Sequence, residues 1–122
     1  MFSYSGSRLS RIAFLAAIGA SLVISGCKPL PLSKPASEFT LDEARGAQVF
    51  QSYCAHCHYP TTTRGLRGPG LQALTKLKEM PSGAPPTDER LIKTIQHGHG
   101  MMQPIPVPDD DLQYLLAYLH TL

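Results

Sequence analysis

The residues best suited to chemistry lie together in the run Cys54-Ala55-His56-Cys57-His58, where a Cys-x-x-Cys pair is followed directly by a histidine. Two cysteines three residues apart at the end of a helix present both thiols on one side, close enough to react with the two vinyl groups of one haem. The histidine that follows projects an imidazole toward the iron. This pattern is typical of c-type haem attachment, and it predicts one covalently bound haem c held by Cys54, Cys57 and His58.

The same cysteines have three other interpretations. A thioredoxin-like dithiol needs a strand followed by a helix, and no convincing strand pattern is present. A zinc site needs four ligands, whereas Cys54, Cys57 and His58 supply three without a clear companion. A plain disulfide is the third alternative. The haem interpretation is favoured, and these three remain as alternatives.

Length and charge limit the fold and the partners. A chain of 122 residues allows one domain and excludes large catalytic architectures such as barrels and doubly wound sheets. The formal net charge of +2 comes from Arg8 and Arg11, so the rest of the chain is near neutral. A charge this small does not indicate nucleic-acid binding, and we expect no nucleic acid among the partners.

The apolar pattern and the turn residues predict an all-α domain of about three to four helices with long irregular loops. Thr40 and Glu43 form a capping-box pattern that begins the first helix. Gly98 or Gly100 ends the second helix, which Thr87 can cap. The three main helices are expected near residues 40–55, 87–98 and 109–122.

The first residues have the features of a secretory signal. Arg8 and Arg11 precede an apolar run over residues 12–24, which is about 13 residues long and shorter than the roughly 20 that a membrane span needs. The run ends in Ser25-Gly26-Cys27, which resembles a bacterial lipobox. That resemblance implies cleavage of a signal peptide, residues 1–26, and lipidation of Cys27. The alternative is an uncleaved anchor helix with an incidental cysteine.

Lipidation would attach the chain to a membrane of the bacterial cell envelope, facing the periplasm. Lys28 follows the lipid site in place of the aspartate that resembles an inner-membrane retention signal, so the outer membrane is favoured. Residues 28–37 contain three prolines and predict an extended tether of up to roughly 30 Å. A strand packed on the domain is the alternative. The expected organisation is therefore a signal peptide (1–26), a lipidated cysteine with its tether (27–37) and a folded domain (38–122).

Residues 40–122 resemble the class I cytochrome c family. The family has a glycine and an aromatic residue on its first helix, and Gly46 and Phe50 match them. The last helix of the family crosses the first and carries a Leu-x-x-aromatic pair, which Leu115 and Tyr118 match. Gly allows a close approach of two helices because it has no Cβ atom. After the haem motif, the family has a Gly-Pro loop, matched by Gly68 and Pro69, and Pro69 lies eleven residues after His58. The resemblance implies that the Pro69 carbonyl accepts a hydrogen bond from the second ring nitrogen of His58.

The resemblance also implies a methionine as the sixth iron ligand, in a proline-bearing loop before the last helix. The family pattern Gly-x-Gly-x-Met assigns this role to Met102. Gln103 departs from that pattern, since a proline usually follows the ligand, and Met101 is therefore an alternative. A further alternative is ligation by a second histidine, His97 or His99.

A haem with both axial positions filled leaves no open site for a substrate, so the resemblance implies one-electron transfer rather than catalysis. The expected function is that of a membrane-tethered mono-haem cytochrome, attached by its lipid anchor, that meets donor and acceptor redox proteins transiently. Two alternatives remain. One is a haem subunit of a larger dehydrogenase or oxidase, and the other is an open-site haem sensor or peroxidase in which no methionine ligates.

Overall fold

The computed structural model describes residues 28–122, so the predicted signal peptide and Cys27 lie outside the described part of the chain. Three α-helices are present: α1 (Leu41–Tyr53), α2 (Asp88–His97) and α3 (Asp109–Leu119). Two short 3-10 helices, Ala36–Glu38 and Leu74–Lys76, lie before α1 and between α1 and α2. Residues 28–122 contain no strand, only one isolated bridge, so the prediction of a small all-α fold is confirmed. None of the helices in this range is both long and apolar enough to span a bilayer.

Helix α1 begins where the sequence predicts it. The Glu43 N–H donates to Thr40 Oγ1 at 3.3 Å, and the Thr40 N–H donates to Glu43 Oε2 at 2.6 Å, which together form a complete capping box. The helix ends at Tyr53, and Cys54 follows as the C-cap residue with its N–H bonded to the Phe50 carbonyl. The helix therefore delivers the first cysteine of the motif at its C-terminal end.

Helices α1 and α3 cross in close contact at Gly46. A Cβ atom on this residue would overlap the Tyr114 carbonyl oxygen and would lie 2.8 Å from the Tyr118 Cβ. Beside this crossing point, Phe50 is fully buried and its ring centroid lies 5.3 Å from that of Tyr118. The expectation that Gly46 permits close packing of the two helices is confirmed, and Phe50 and Tyr118 form the centre of the contact.

The hydrophobic core lies between the three helices and extends under the loop before α2. Leu91 and Ile95 of α2 contribute to it from one side, and Met80 contributes from the loop. The remaining buried members come from α1, α3, the second 3-10 helix and the flanking turns: Val49, Phe50, Leu74, Val107, Leu112, Leu115, Leu116, Tyr118, Leu119 and Leu122. The core therefore holds α1, α2 and α3 in fixed positions around the segments that carry the motif residues.

The segment expected to be a tether contacts the folded domain. Gln72 Nε2 donates to the Pro31 carbonyl at 3.1 Å, and the Lys34 N–H donates to the Thr121 carbonyl at 2.7 Å. Lys34 Nζ also pairs with Glu43 at 2.8 Å. Pro35 has the extended backbone that proline favours, but Ala36–Glu38 forms a turn of 3-10 helix. The segment is thus bound to the domain from Pro31 onward.

Candidate functional site

The two cysteines and the histidine of the motif share one turn at the end of α1. The N–H groups of Cys57 and His58 both donate to the Cys54 carbonyl, each at 3.0 Å. This turn brings three chemically active side chains together within five residues. Cys54 and Cys57 are free thiols and both are partly buried, so the disulfide alternative is not formed in this structure.

The surroundings of Cys54 favour the protonated form of its thiol. Burial, with a smaller contribution from the neighbouring Cys57, raises the pKa of Cys54 to about 11. A redox-active dithiol needs one cysteine with a lowered pKa, because the thiolate is the attacking species. The environment of Cys54 therefore argues against the thioredoxin-like alternative.

His58 is oriented by the loop that follows it. Its Nδ1 lies 2.8 Å from the Pro69 carbonyl oxygen, which can only accept a hydrogen bond, so Nδ1 carries the proton and donates it. Nε2 is then the ring nitrogen that remains available to coordinate a metal ion. The hydrogen bond that the family resemblance implies between His58 and Pro69 is present.

Gly68 packs directly against the His58 ring. A Cβ atom at residue 68 would overlap Cε1 of the ring and would lie 2.9 Å from Nδ1. The Gly68 N–H donates to the Cys57 carbonyl at 2.8 Å, which fixes the loop against the motif. Sequence reasoning used Gly68 only as part of the Gly-Pro pair and missed this contact. The available signal was the density of glycine in the loop, at residues 65, 68 and 70.

The loop before α3 contains a tight turn that separates the two candidate methionines. His99 and Met102 exchange backbone hydrogen bonds of 3.0 and 2.9 Å, with Gly100 and Met101 at the tip. Met101 is 91% exposed, whereas Met102 is partly buried and packs against the hydrophobic core. The turn therefore directs Met102 inward and Met101 into solvent.

Gly98 makes this turn possible. Its backbone angles, φ 75° and ψ 173°, fall in a region that only glycine occupies readily. A Cβ atom here would also overlap the Met102 carbonyl oxygen. The glycine that ends α2 is thus also the residue that lets the chain fold back to Met102.

The other histidines have different surroundings. His97 is exposed, and its Nδ1 donates to the Lys93 carbonyl one turn earlier at 3.1 Å. His97 and His99 both line an open cavity of about 230 Å³ beside α2, with Arg90 and Lys93. His120 Nε2 lies 2.8 Å from Asp88 Oδ1 and connects the end of α3 to the start of α2, a contact that sequence reasoning missed.

The donor set does not suit a zinc ion. Within residues 28–122, no group of three or more His, Cys, Asp or Glu side chains is arranged to hold a metal ion. A single imidazole with a free Nε2, together with a soft thioether, is instead a donor pair that haem iron takes in c-type cytochromes. The chemistry of His58 and Met102 therefore fits a haem.

Comparison with known families identifies a match over most of the described chain. A family model described as "Cytochrome C oxidase, cbb3-type, subunit III" matches residues 42–119. The matched region extends from the start of α1 to the last residue of α3 and includes the motif, Pro69 and both candidate ligands, Met101 and Met102. No curated protein matches the chain.

Proposed function

Since this chain belongs to the cytochrome c oxidase, cbb3-type, subunit III family, and so has a mono-haem cytochrome c domain of class I type, we propose that it transfers single electrons through one covalently attached haem c. Haem-based electron transfer is the function of such a domain.

The proposal depends above all on the hydrogen bond from His58 Nδ1 to the Pro69 carbonyl, at 2.8 Å. Because this bond occupies Nδ1, only Nε2 can coordinate iron, and the bond raises the basicity of the ligand. Cys54 and Cys57, on the same turn, would hold the porphyrin through thioether bonds. When bound, haem supplies a one-electron Fe(II)/Fe(III) couple whose potential depends on the axial ligands.

Met102 is the proposed sixth ligand. Its side chain is partly buried against the core, while that of Met101 is exposed over 91% of its surface. A neutral thioether favours Fe(II), which raises the reduction potential relative to two nitrogen ligands. If His58 and Met102 both hold the iron, no coordination position would remain for a substrate, which supports an electron carrier rather than an enzyme.

We also propose that Cys27 is lipidated after removal of residues 1–26 and anchors the protein to the periplasmic face of an envelope membrane. The support is the lipobox-like end of the apolar run, and Lys28 favours the outer membrane. The partners would be donor and acceptor redox proteins in transient contact. Such encounters often bury less than about 1,200 Å².

A second candidate role is that of a haem subunit fixed in a larger oxidase. The description of the matching family favours it, since that description names a subunit of an oxidase. Extraction with mild detergent distinguishes the two roles. A free carrier would be purified alone, and a subunit would be purified together with its larger partner.

The central experiment is a pyridine haemochrome assay on protein made in cells equipped for cytochrome maturation. We expect one haem c per chain, low-spin ferric iron and a weak far-red absorption band from sulfur-to-iron charge transfer. A colourless protein would refute haem attachment. High-spin iron, or rapid CO binding by the reduced protein, would refute the carrier and indicate the open-site sensor or peroxidase.

A further inference from the structure

The loop that supplies the acceptor of His58, residues 59–72, is held mainly by hydrogen bonds at its ends. Residues 61–67 are all exposed, so packing restrains this part of the loop only weakly. The Leu71 N–H donates to the Tyr59 carbonyl at 2.9 Å, which joins the two ends of the loop. The position of the loop relative to the His58 ring therefore depends on a small number of contacts.

Gln72 connects this loop to a distant part of the chain. Its backbone N–H donates to the Thr62 carbonyl at 3.4 Å, inside the loop. Its side-chain Nε2 donates to the Pro31 carbonyl at 3.1 Å, outside the loop. One side chain thus joins the His58 loop to residues 31–34, called the strap below.

The strap is itself fixed to the ends of two helices. The Lys34 N–H donates to the carbonyl of Thr121, whose hydroxyl bonds to the Tyr118 carbonyl of α3, with both distances 2.7 Å. Lys34 Nζ also contacts both carboxylate oxygens of Glu43, in the first turn of α1, at 2.8 and 3.0 Å. These two side chains are 33% and 17% exposed, so the ion pair is partly shielded from water. The strap therefore joins the loop to α1 and α3, the helices that cross at the centre of the domain.

We propose that Gln72 is a positioning residue for the haem ligand, and that it acts by holding the His58 loop against the strap. This inference rests on the proposed role of His58 as an iron ligand, and it does not require a lipid on Cys27. Pro69 lies three residues before Gln72, so a displacement of Gln72 moves the carbonyl that accepts from His58 Nδ1. Since that hydrogen bond raises the basicity of the imidazole, the contact with the strap adjusts the ligand from outside the loop.

Loss of this contact should loosen the loop without unfolding it. The hydrogen bond between Leu71 and Tyr59 would remain, and Leu71 would still pack against the hydrophobic core. The hydrogen bond from His58 to Pro69 would then open more often, and its Nδ1 proton would exchange faster with water. The imidazole would also be less basic on average, which raises the reduction potential.

The test compares the wild-type, haem-loaded protein with Gln72→Met, which keeps the length of the side chain and removes its donor. In the reduced state, NMR measures the exchange of the His58 Nδ1 proton with water, and redox titration gives the midpoint potential. We expect Gln72→Met to raise the potential and to accelerate this exchange severalfold, by a larger factor than that of the buried Leu115 amide. Gln51→Met is the matched control, because Gln51 is exposed on α1 and its side chain has no hydrogen bond within residues 28–122; both values should stay unchanged.

A second substitution tests the strap. Lys34→Met removes the ion pair with Glu43 and loosens the strap, so Gln72→Met should accelerate the His58 exchange less in this background than alone. An exchange rate that Gln72→Met leaves unchanged, an equal acceleration at Leu115, or two effects that add as free energies would each overturn the inference. These outcomes leave the haem assignment intact. A reduced wild-type protein whose His58 ring protons lack the shift produced by a haem ring current would instead refute His58 as the ligand, and the inference with it.

Discussion

Replacing Gly46 by alanine tests whether the contact of α1 with α3 limits the stability of the domain. The new Cβ atom would overlap the Tyr114 carbonyl oxygen and lie 2.6 Å from the Tyr114 carbonyl carbon. Both atoms belong to the backbone of α3, so neither can rotate away. The two helices must separate, and Phe50 and Leu115, which are fully buried beside the contact, lose part of their packing.

Two opposing effects determine how much Gly46→Ala changes the free energy of unfolding. Alanine is favoured over glycine in a helix by about 1 kcal/mol, which would stabilise α1. Overpacking in a well-packed core costs typically about 1–3 kcal/mol, and a clash with a helix backbone belongs at the upper end of that range. We therefore expect the free energy of unfolding to fall by about 2 kcal/mol, which lowers Tm by roughly 8–16 °C for a domain of this size.

The assay is denaturant unfolding of the haem-loaded protein, followed by far-ultraviolet circular dichroism. Ala44→Gly is the matched control, because Ala44 is exposed on the same helix. The reverse substitution there changes helix propensity alone and should lower the stability by about 1 kcal/mol. If Gly46→Ala is destabilising although alanine has the higher helix propensity, the contact with α3 determines the change in stability at residue 46. A Gly46→Ala variant as stable as the wild type, or more stable, would refute the reasoning.

Three further predictions concern the sixth iron ligand, the contact of Gly68 with His58, and the ion pair between Lys34 and Glu43. Met102→Ala should lower the midpoint potential and open the iron to CO, whereas Met101→Ala should leave the spectrum unchanged; the reverse result would assign Met101 as the ligand. Gly68→Ala should displace the His58 ring from its acceptor and raise the potential in redox titration, because the ligand loses basicity; an unchanged potential would contradict this. The hydrogen bond from Lys34 lowers the pKa of Glu43, so this bond stabilises the fold above the ordinary pKa of 4.5 and is lost as pH falls through the lower folded value. The backbone amides of residues 31–34 should then exchange their hydrogens faster at low pH. An opening free energy of these amides that does not change with pH would argue against the ion pair.

Local signals predicted most of the secondary structure and the hydrogen bond that orients His58. The capping box at Thr40 and Glu43 acts within four residues, and the hydrogen bond from His58 to Pro69 spans one loop, so both could be inferred from the sequence and the family pattern. The predicted ends of the helices are less accurate. The last helix ends at Leu119 instead of residue 122, because the hydroxyl and N–H of Thr121 both bond to the Tyr118 carbonyl.

Contacts between distant segments could not be inferred. The attachment of Pro31 to Gln72 joins residues 41 positions apart, and an isolated glutamine side chain carries no pattern that indicates its partner. Proline content alone predicts an extended segment, and it does not indicate whether that segment is free or bound. The pairing of His120 with Asp88 is similar, because the two residues meet only once α2 and α3 have packed.

The tight turn at Gly98 determines how this part of the chain tolerates mutation. Any side chain at Gly98 meets both an unfavourable backbone conformation and the Met102 carbonyl, so we expect every substitution there to be rejected. Gly100 has φ 58° but open space around it, and asparagine should be accepted in its place. His99 and Met101 are exposed, so we expect both to accept substitutions. A saturation library across these residues should therefore return alternating constrained and permissive positions.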